Sequence, residues 1–302
     1  MSIAPADLVA VTGGTGAIGK RVVEDLLSKG MRLRLLCRSA APQRAGVETV
    51  EVDLASGDPL PAEALAGCKA VIHLASHIPP NQEDPGAAET CFQTNALGTV
   101  RLLEAMEASG VGQLLQTTSA NAYAPGLAAP NEDDLMYPDR RAPFYLSSKI
   151  AQDVFGSYWS RQRGVCVTTL RLSSVYGAGM ESGLFTRFAR ALRAEEPIQL
   201  ANGGSFGADF VDVADVSDAI GLFLDAPEAG AFNIASGERT TVLDASRLLV
   251  ELTGADEDRL AVAPMDNDER GFPRIDIRKA RERGYAPHDL RWGLARLVDS
   301  LD

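Results

Sequence analysis

Short apolar runs alternate with longer amphipathic stretches through the first two thirds of the chain. LVAVT (8–12), RLRLLC (32–37), VETVEV (47–52), AVIHLA (70–75), QLLQTTS (113–119) and VCVTTLRL (165–172) are rich in aliphatic and β-branched residues and predict strands. Between them, residues 17–29, 87–108 and 143–162 carry apolar side chains at helical spacing, and SKG and ASG close the first two with a glycine stop. The alternation predicts an α/β fold, a doubly wound parallel sheet of Rossmann-like type with helices on both faces. After residue 172 the pattern loosens into glycine-rich turns (YGAGMESG, ANGGSFGADF), a helix around 184–195, and the apolar runs FVDVADVSDAIGLFL and AFNIAS. From 240 onward there are two helical patterns and no long strand. The expected organisation is a sheet domain over 1–172 and 209–235, with a smaller, discontinuous α/β lobe over 173–208 and 236–302.

Composition narrows the class. With 302 residues, 45% of them hydrophobic and 23% charged, the chain is long enough to bury a large core and reads as soluble and globular. A formal net charge of -12 repels polyanions, so nucleic acid is not an expected partner. Cys37, Cys68, Cys91 and Cys166 lack C-x-x-C spacing, and neither a metal site nor a disulfide framework is indicated. The N-terminal stretch has no basic region ahead of its first strand, and no apolar run reaches membrane-spanning length. A cytoplasmic location without membrane attachment is expected.

The chemistry begins at VAVTGGTGAIGKRVVEDLL, where Gly13, Gly16 and Gly19 recur at three-residue intervals between the first strand and the first helix. Glycines let the backbone turn tightly against a pyrophosphate, and the helix N-terminus beyond offers N–H groups and partial positive charge. The larger domain therefore reads as dinucleotide-binding. At the end of the second strand, where an NAD-binding protein usually places a carboxylate for the ribose 2′-OH, LLCRSAAPQR offers Arg38 instead. A guanidinium suits a 2′-phosphate, so NADP(H) is favoured and NAD(H) stays open. Asp53, after the third strand, suits the adenine amino group or a loop cap about equally.

Tyr145 and Lys149, in APFYLSSKIAQD, lie one helical turn apart, so phenol and ammonium can converge. A nearby cation favours the phenolate and fits the tyrosine for proton transfer. Ser119 ends the fifth strand at the sheet edge where ligands bind in this architecture, and Asn95 is an amide within a helical pattern, needing a partner if buried. His73 and His77 are four apart, but position 73 belongs to a strand and no metal role follows.

Taken in order, TGGTGAIG, HLAS, NALGT, TSANAYA, YLSSK, LRLSSVYGAG, DFVDVADVSDA and FNIASG resemble the signatures of the extended short-chain dehydrogenase/reductases, in their NAD-dependent epimerase/dehydratase branch. The resemblance spans nearly the whole chain. It implies an NAD(P)-dependent enzyme in which Tyr145 is the acid/base, Lys149 binds the nicotinamide ribose and lowers the tyrosine pKa, and Ser119 hydrogen-bonds the reacting oxygen. The cofactor contacts it implies are Gly13, Thr15, Gly16, Ala17, Ile18, Gly19, Arg38, Asp53, Leu54, Leu74, Ala75, Ser76, Asn95, Thr117, Tyr145 and Lys149. It further implies a homodimer through the helices around 87–108 and 143–162, and a substrate that is a secondary alcohol or ketone of a nucleotide-linked sugar.

The sequence also departs from that pattern. Dehydratase-type members follow the serine or threonine with an Asp-Glu pair, where this chain has Ala120 and Asn121, which argues against a 4,6-dehydratase. Ser174 and Ala208 stand where nucleotide-sugar enzymes commonly have Asn and Arg. Ser119, Ala120, Asn121, Ser174, Arg187 and Arg270 are then the candidate substrate contacts. A 4-epimerase or 4-ketoreductase type of reaction is expected. The alternatives are an NADPH-dependent reductase of a small non-nucleotide ketone and a non-catalytic nucleotide-sensing protein.

Overall fold

In the computed structural model, which describes residues 3–4, 6–39, 44–139, 141–266 and 271–301, β1 (Leu8–Thr12) is buried at every residue, as a strand covered on both faces must be. α1 (Ala17–Ser28) follows and buries Val22, Val23 and Leu26. Next come β2 (Arg32–Cys37), β3 (Val47–Glu51) and β4 (Ala70–His73). The helix predicted over 87–108 is interrupted: α2 (Ala88–Cys91) passes into a π-turn over Phe92–Leu97 before α3 (Gly98–Ser109), which ends on the left-handed Gly110. β5 (Gln113–Ser119), α4 (Pro143–Gln162) and β6 (Cys166–Leu172) complete this part. Pro143 at the first position of α4 is where proline's missing N–H costs nothing.

The remaining elements are β7 (Ser174–Tyr176), α5 (Leu184–Arg193), β8 (Ile198–Leu200), β9 (Gly207–Asp212), α6 (Val213–Asp225), β10 (Gly230–Ile234), β11 (Arg239–Thr241), α7 (Val242–Thr253), β12 (Leu260–Val262), α8 (Arg278–Arg281) and α9 (Leu290–Asp299). Seven strands form one parallel sheet in the order β10-β6-β5-β4-β1-β2-β3. Val9 is in register with both Leu33 of β2 and Ala70 of β4, so the chain winds away from β1 in two directions. The C-terminal ends of β1 and β4 therefore form the switch point at which sheets of this kind bind ligands. Among the described residues, no helix is long and apolar enough to cross a membrane.

The chain packs as two compact units. The first comprises Met1–Pro125, Glu132–Arg171 and Ala219–Phe232; the second comprises Gly126–Asn131, Leu172–Asp218 and Asn233–Asp302. In the first, α3 presses Leu102, Leu103 and Met106 onto Leu8, Val71 and Leu114 of the sheet. In the second, Phe185, Phe210, Val242, Leu249 and Leu294 make the core, with the Phe185 and Phe210 rings edge to face at 4.8 Å. Each such side chain, fully buried, contributes about 1.5–3 kcal/mol. The division differs from the expected one at 126–131, 172, 209–218 and 233–235, all of which join the second unit. β9 pairs with β7 and β11 in a three-stranded sheet of the second unit, a choice of partner that its local apolar pattern does not encode.

Candidate active site

The glycine loop is shaped by close backbone approach. Gly13 has φ +70, and a Cβ there would lie 2.5 Å from the Ala75 nitrogen; one at Gly19 would lie 2.0 Å from the Gly13 carbonyl oxygen. Only hydrogen fits at either place, so the start of α1 is seated directly on the loop and the loop on the turn after β4. Gly16 caps α1 without a side-chain bond, and no acidic residue occupies the first turn. Its first N–H groups, lacking intrahelical partners, are left to an anion. Thr15, Gly16 and Ala17 are exposed at the loop's tip and Ile18 is half-buried, while Leu74, Ala75 and Ser76 line the facing turn. This is a cradle for a pyrophosphate.

The other expected cofactor residues are spread around it. Arg38 is exposed just past β2. Asp53 accepts the Ala55 N–H at 2.9 Å, the loop cap named as one of its two readings. Leu54 is buried, and its carbonyl accepts from Arg101 at 2.6 Å. Thr117 and Ser119, two apart, share one face of β5.

Asn95 sits inside the π-turn, fully buried, and every polar atom of its amide is used. The side-chain oxygen accepts from the His77 N–H at 2.7 Å and the Ser76 hydroxyl at 3.3 Å. The side-chain nitrogen donates to the His77 carbonyl at 3.1 Å and to Ser148 Oγ at 2.9 Å. Ser148 in turn donates to the Tyr145 carbonyl at 2.6 Å. One amide thus ties the turn after β4 to the helix that carries the tyrosine. The extra residue of a π-turn is a common way to aim one side chain inward.

A second buried chain runs behind it. Thr99 Oγ1 donates to the Asn95 carbonyl at 2.7 Å, so toward His73 Nε2, 2.9 Å away, the same oxygen must accept. Nδ1 of His73 is then the acceptor for Thr12 Oγ1 at 2.6 Å, and Thr12 accepts the Ala75 N–H at 3.1 Å. Burial, with a smaller push from the Lys149 charge, lowers the His73 pKa to about 3, so the ring stays neutral. Both ring nitrogens are committed to hydroxyls, which leaves His73 a strut.

α4 begins strained. Ala142, just before it, is left-handed at φ 45 and ψ 45, and its N–H donates to Glu83 at 2.8 Å. Tyr145, one turn in, is half-buried against Ala122, Ala142 and Leu146, which places it beside the short turn Ala120–Ala122 that follows Ser119. Ser119 Oγ accepts the Asn121 N–H at 3.2 Å and keeps its proton for another acceptor. Burial pushes the Tyr145 phenol up to about 12, partly offset by a hydrogen bond to Ser76 and reinforced by Cys91. This is the opposite direction from the one expected of a Tyr/Lys pair. Lys149 is only 2% exposed; its amine donates to Gln152 Oε1, and burial pushes it down to about 7 against the opposing pull of Asp153.

The candidate substrate residues divide between the units. Ala120 is fully buried, and Asn121 is half-buried beside Ser119. In the second unit Ser174 is half-buried on β7 and Arg187 is exposed on α5. Ala208, in place of the family arginine, belongs to the apolar core of that unit. Arg270 lies outside the described residues. Sequence reasoning missed Thr12, Gln116, Ser148 and Gln152, ordinary polar residues whose partners come from other elements.

The model of the family described as "NAD dependent epimerase/dehydratase family" matches residues 9–235. The chain is 27% identical to a dTDP-L-rhamnose 4-epimerase of Burkholderia thailandensis, over 97% of this chain and 93% of that protein. It is 28% identical to a UDP-glucose 4-epimerase of Mycolicibacterium smegmatis, over 96% of each. It superimposes on MoeE5 in complex with UDP-glucuronic acid and NAD with a TM-score of 0.84, at 27% identity over 97% of this chain and 98% of that one. The chain belongs to the NAD-dependent epimerase/dehydratase family and is an enzyme of the extended short-chain dehydrogenase/reductase type.

Proposed function

We propose that this enzyme carries out a 4-epimerase or 4-ketoreductase type of reaction on a nucleotide-linked sugar. The observation that carries the reading is Tyr145 packed beside the turn that follows Ser119, with Lys149 one helical turn along α4 and Ala120 and Asn121 where a dehydratase needs an acid and a base. Without that pair, elimination of water has no proton donor for the leaving hydroxyl, whereas exchange between carbinol and ketone needs only one proton site. The 4-epimerases among its relatives support the same class.

The residues fit a dinucleotide: the cradle at Gly13 and Gly19 admits no side chain, and α1 presents an uncapped N-terminus. The bound nicotinamide supplies a hydride donor or acceptor for the substrate's carbinol carbon. Tyr145 exchanges the proton of that carbinol oxygen, Ser119 donates a hydrogen bond to the same oxygen, and Lys149 orients the nicotinamide ribose. Thr15 to Ile18 and Leu74 to Ser76 bracket the diphosphate; Asp53, Leu54, Asn95 and Thr117 complete the contacts. Arg38, with no carboxylate in its stretch, supports NADP(H), although MoeE5 was solved with NAD. Ser174 and Arg187 of the second unit are assigned to the substrate's nucleotide, while the first unit holds the cofactor and the groups that act on the carbinol. The small-ketone alternative is favoured by one observation, the missing guanidinium at Ala208.

Mass spectrometry of the denatured protein identifies a retained cofactor, and calorimetry with UDP and dTDP, in the presence of each cofactor, tests the substrate class. Tyr145→Phe should bind cofactor and nucleoside diphosphate like the parent while losing about 10²–10⁴-fold in turnover of UDP- or dTDP-sugars. Absence of diphosphate binding at millimolar concentration leaves only the small-ketone reading, and full activity of Tyr145→Phe removes the proton role.

A further inference from the structure

Lys149 is held by a residue that no motif requires. Its Nζ donates to Gln152 Oε1 at 2.5 Å, one turn along α4. The Gln152 amide nitrogen donates to Gln116 Oε1 at 3.3 Å, and the Gln116 amide nitrogen donates to Thr169 Oγ1 at 2.9 Å and to the Gln152 carbonyl at 3.4 Å. α4, β5 and β6 each contribute, and exposure is 2% for Lys149, 0% for both glutamines and 3% for Thr169. Gly156 makes room for the arrangement, since a Cβ there would lie 2.4 Å from the Gln116 amide nitrogen.

The chain of donors has one direction. Both acceptors near the Gln116 nitrogen are taken by its N–H groups, so its oxygen faces Gln152. That turns the Gln152 nitrogen toward β5 and its oxygen toward Lys149. A flipped Gln152 would set an NH₂ against an ammonium, a donor against a donor. The charged and titratable groups around the amine do not replace this contact. Asp153, on the same helix, is paired with Arg171 of β6 at 2.7 Å; His73, from β4, is neutral; Tyr145 stays protonated; and the Cys91 thiol on α2 is raised by burial. The direct acceptor is therefore uncharged, and a buried ammonium facing a neutral amide loses its proton far more easily than one facing a carboxylate.

We propose that Gln152, oriented by Gln116, is the positioning residue that fixes the Lys149 amine and gives it an uncharged acceptor in place of a carboxylate. The proposal rests on the reading of Lys149 as a cofactor-binding group, and it makes Lys149 binding to ribose pH-dependent by construction. The test uses full-length protein carrying [ε-¹³C]lysine; the chain has five lysines, and Lys149→Met assigns the signal. In the parent, the Lys149 resonance should titrate near pH 7. Gln152→Glu should raise that midpoint by at least about one unit, tenfold in proton affinity, while Gln152→Met and Gln116→Met should lower it. The pH at which NAD(P)⁺ affinity falls should move in the same sense. A parent midpoint among those of the other lysines, or one unmoved in the variants that fold, overturns the proposal. Should the midpoint follow Gln152 while Lys149→Met binds NAD(P)⁺ like the parent, the device stands and the cofactor role of Lys149 falls.

Discussion

A lysine buried at 2% exposure in the middle of a helix opposes folding, and the size of that opposition can be read from its pKa. Lys149 falls from its ordinary value to about 7, chiefly through burial. The unfolded chain therefore binds more protons than the folded one between about pH 7 and 10.5, and folding stability rises with pH across that window. Below pH 7 both states hold the proton and the burden is complete, on the order of several kcal/mol at most. Lys149→Met removes it. The variant should unfold at a higher urea concentration than the parent at pH 7, and that advantage should shrink as the pH approaches 10. A parent whose stability relative to Lys149→Met stays flat between pH 7 and 9 would show the amine to be solvated, with the same proton affinity folded and unfolded. Tyr145 behaves differently: raised to about 12, its phenol stays protonated in the folded chain while the unfolded one ionises near pH 10, so it lowers the slope only at the top of this window. Stability given up at Lys149 and retained at Tyr145 is the asymmetry expected where one group must change charge and the other must deliver a proton.

At the scale of elements, the π-turn over Phe92–Leu97 decides whether the helices and the turn after β4 act together. Asn95 bonds the backbone N–H and carbonyl of His77 and the hydroxyl of Ser148. Asn95→Leu would strand these polar groups in a fully buried place, and we expect about 2–4 kcal/mol of lost stability in urea unfolding, with weakened cofactor binding. An Asn95→Leu protein of parental stability would mean that water replaces the amide. The strands, helices and their order were legible from apolar spacing, with the bounds of α4 coinciding at 143–162, because each of these is local. Ser119, Tyr145, Lys149 and Asn95 stood out as candidates because of their spacing to one another or their place in a strand end or helical pattern. The π-turn was not, since one extra residue per turn leaves helical patterning almost unchanged. Nor was the pairing of β9, or the contact of Gln116 with Gln152, 36 residues apart, or of Thr12 with His73, 61 apart. No local pattern records which polar side chains will meet in a core. The direction of the Tyr145 shift was not legible either, because the burial that raises the phenol depends on tertiary packing, including Ala122 of another element.

For the whole molecule the open question is how many chains form the working enzyme. In the first unit α4 packs beside α2, α3 and the π-turn, and on this pair of helices Phe92, Leu97, Val154 and Tyr158 remain 38–57% exposed. Val154 and Tyr158 are four apart, hence on one face of α4. A second copy related by a two-fold axis would cover the four apolar side chains with their own counterparts, which is the homodimer the family resemblance implies. Each chain carries a formal charge of -12, so two copies repel and association should strengthen as salt screens them. We therefore expect sedimentation to give a dimer whose dissociation constant falls between 0.02 and about 0.3 M salt, a range over which the screening length shortens roughly fourfold. Val154→Glu combined with Tyr158→Glu places four new carboxylates in the covered face of a dimer and should give monomers at all salt concentrations. Because α4 also carries Tyr145 and Lys149 on its other side, the monomer should keep its fold but bind NAD(P)⁺ more weakly. A double variant that still sediments as a dimer would place the interface elsewhere, and a parent that is monomeric at high salt and micromolar concentration would remove it.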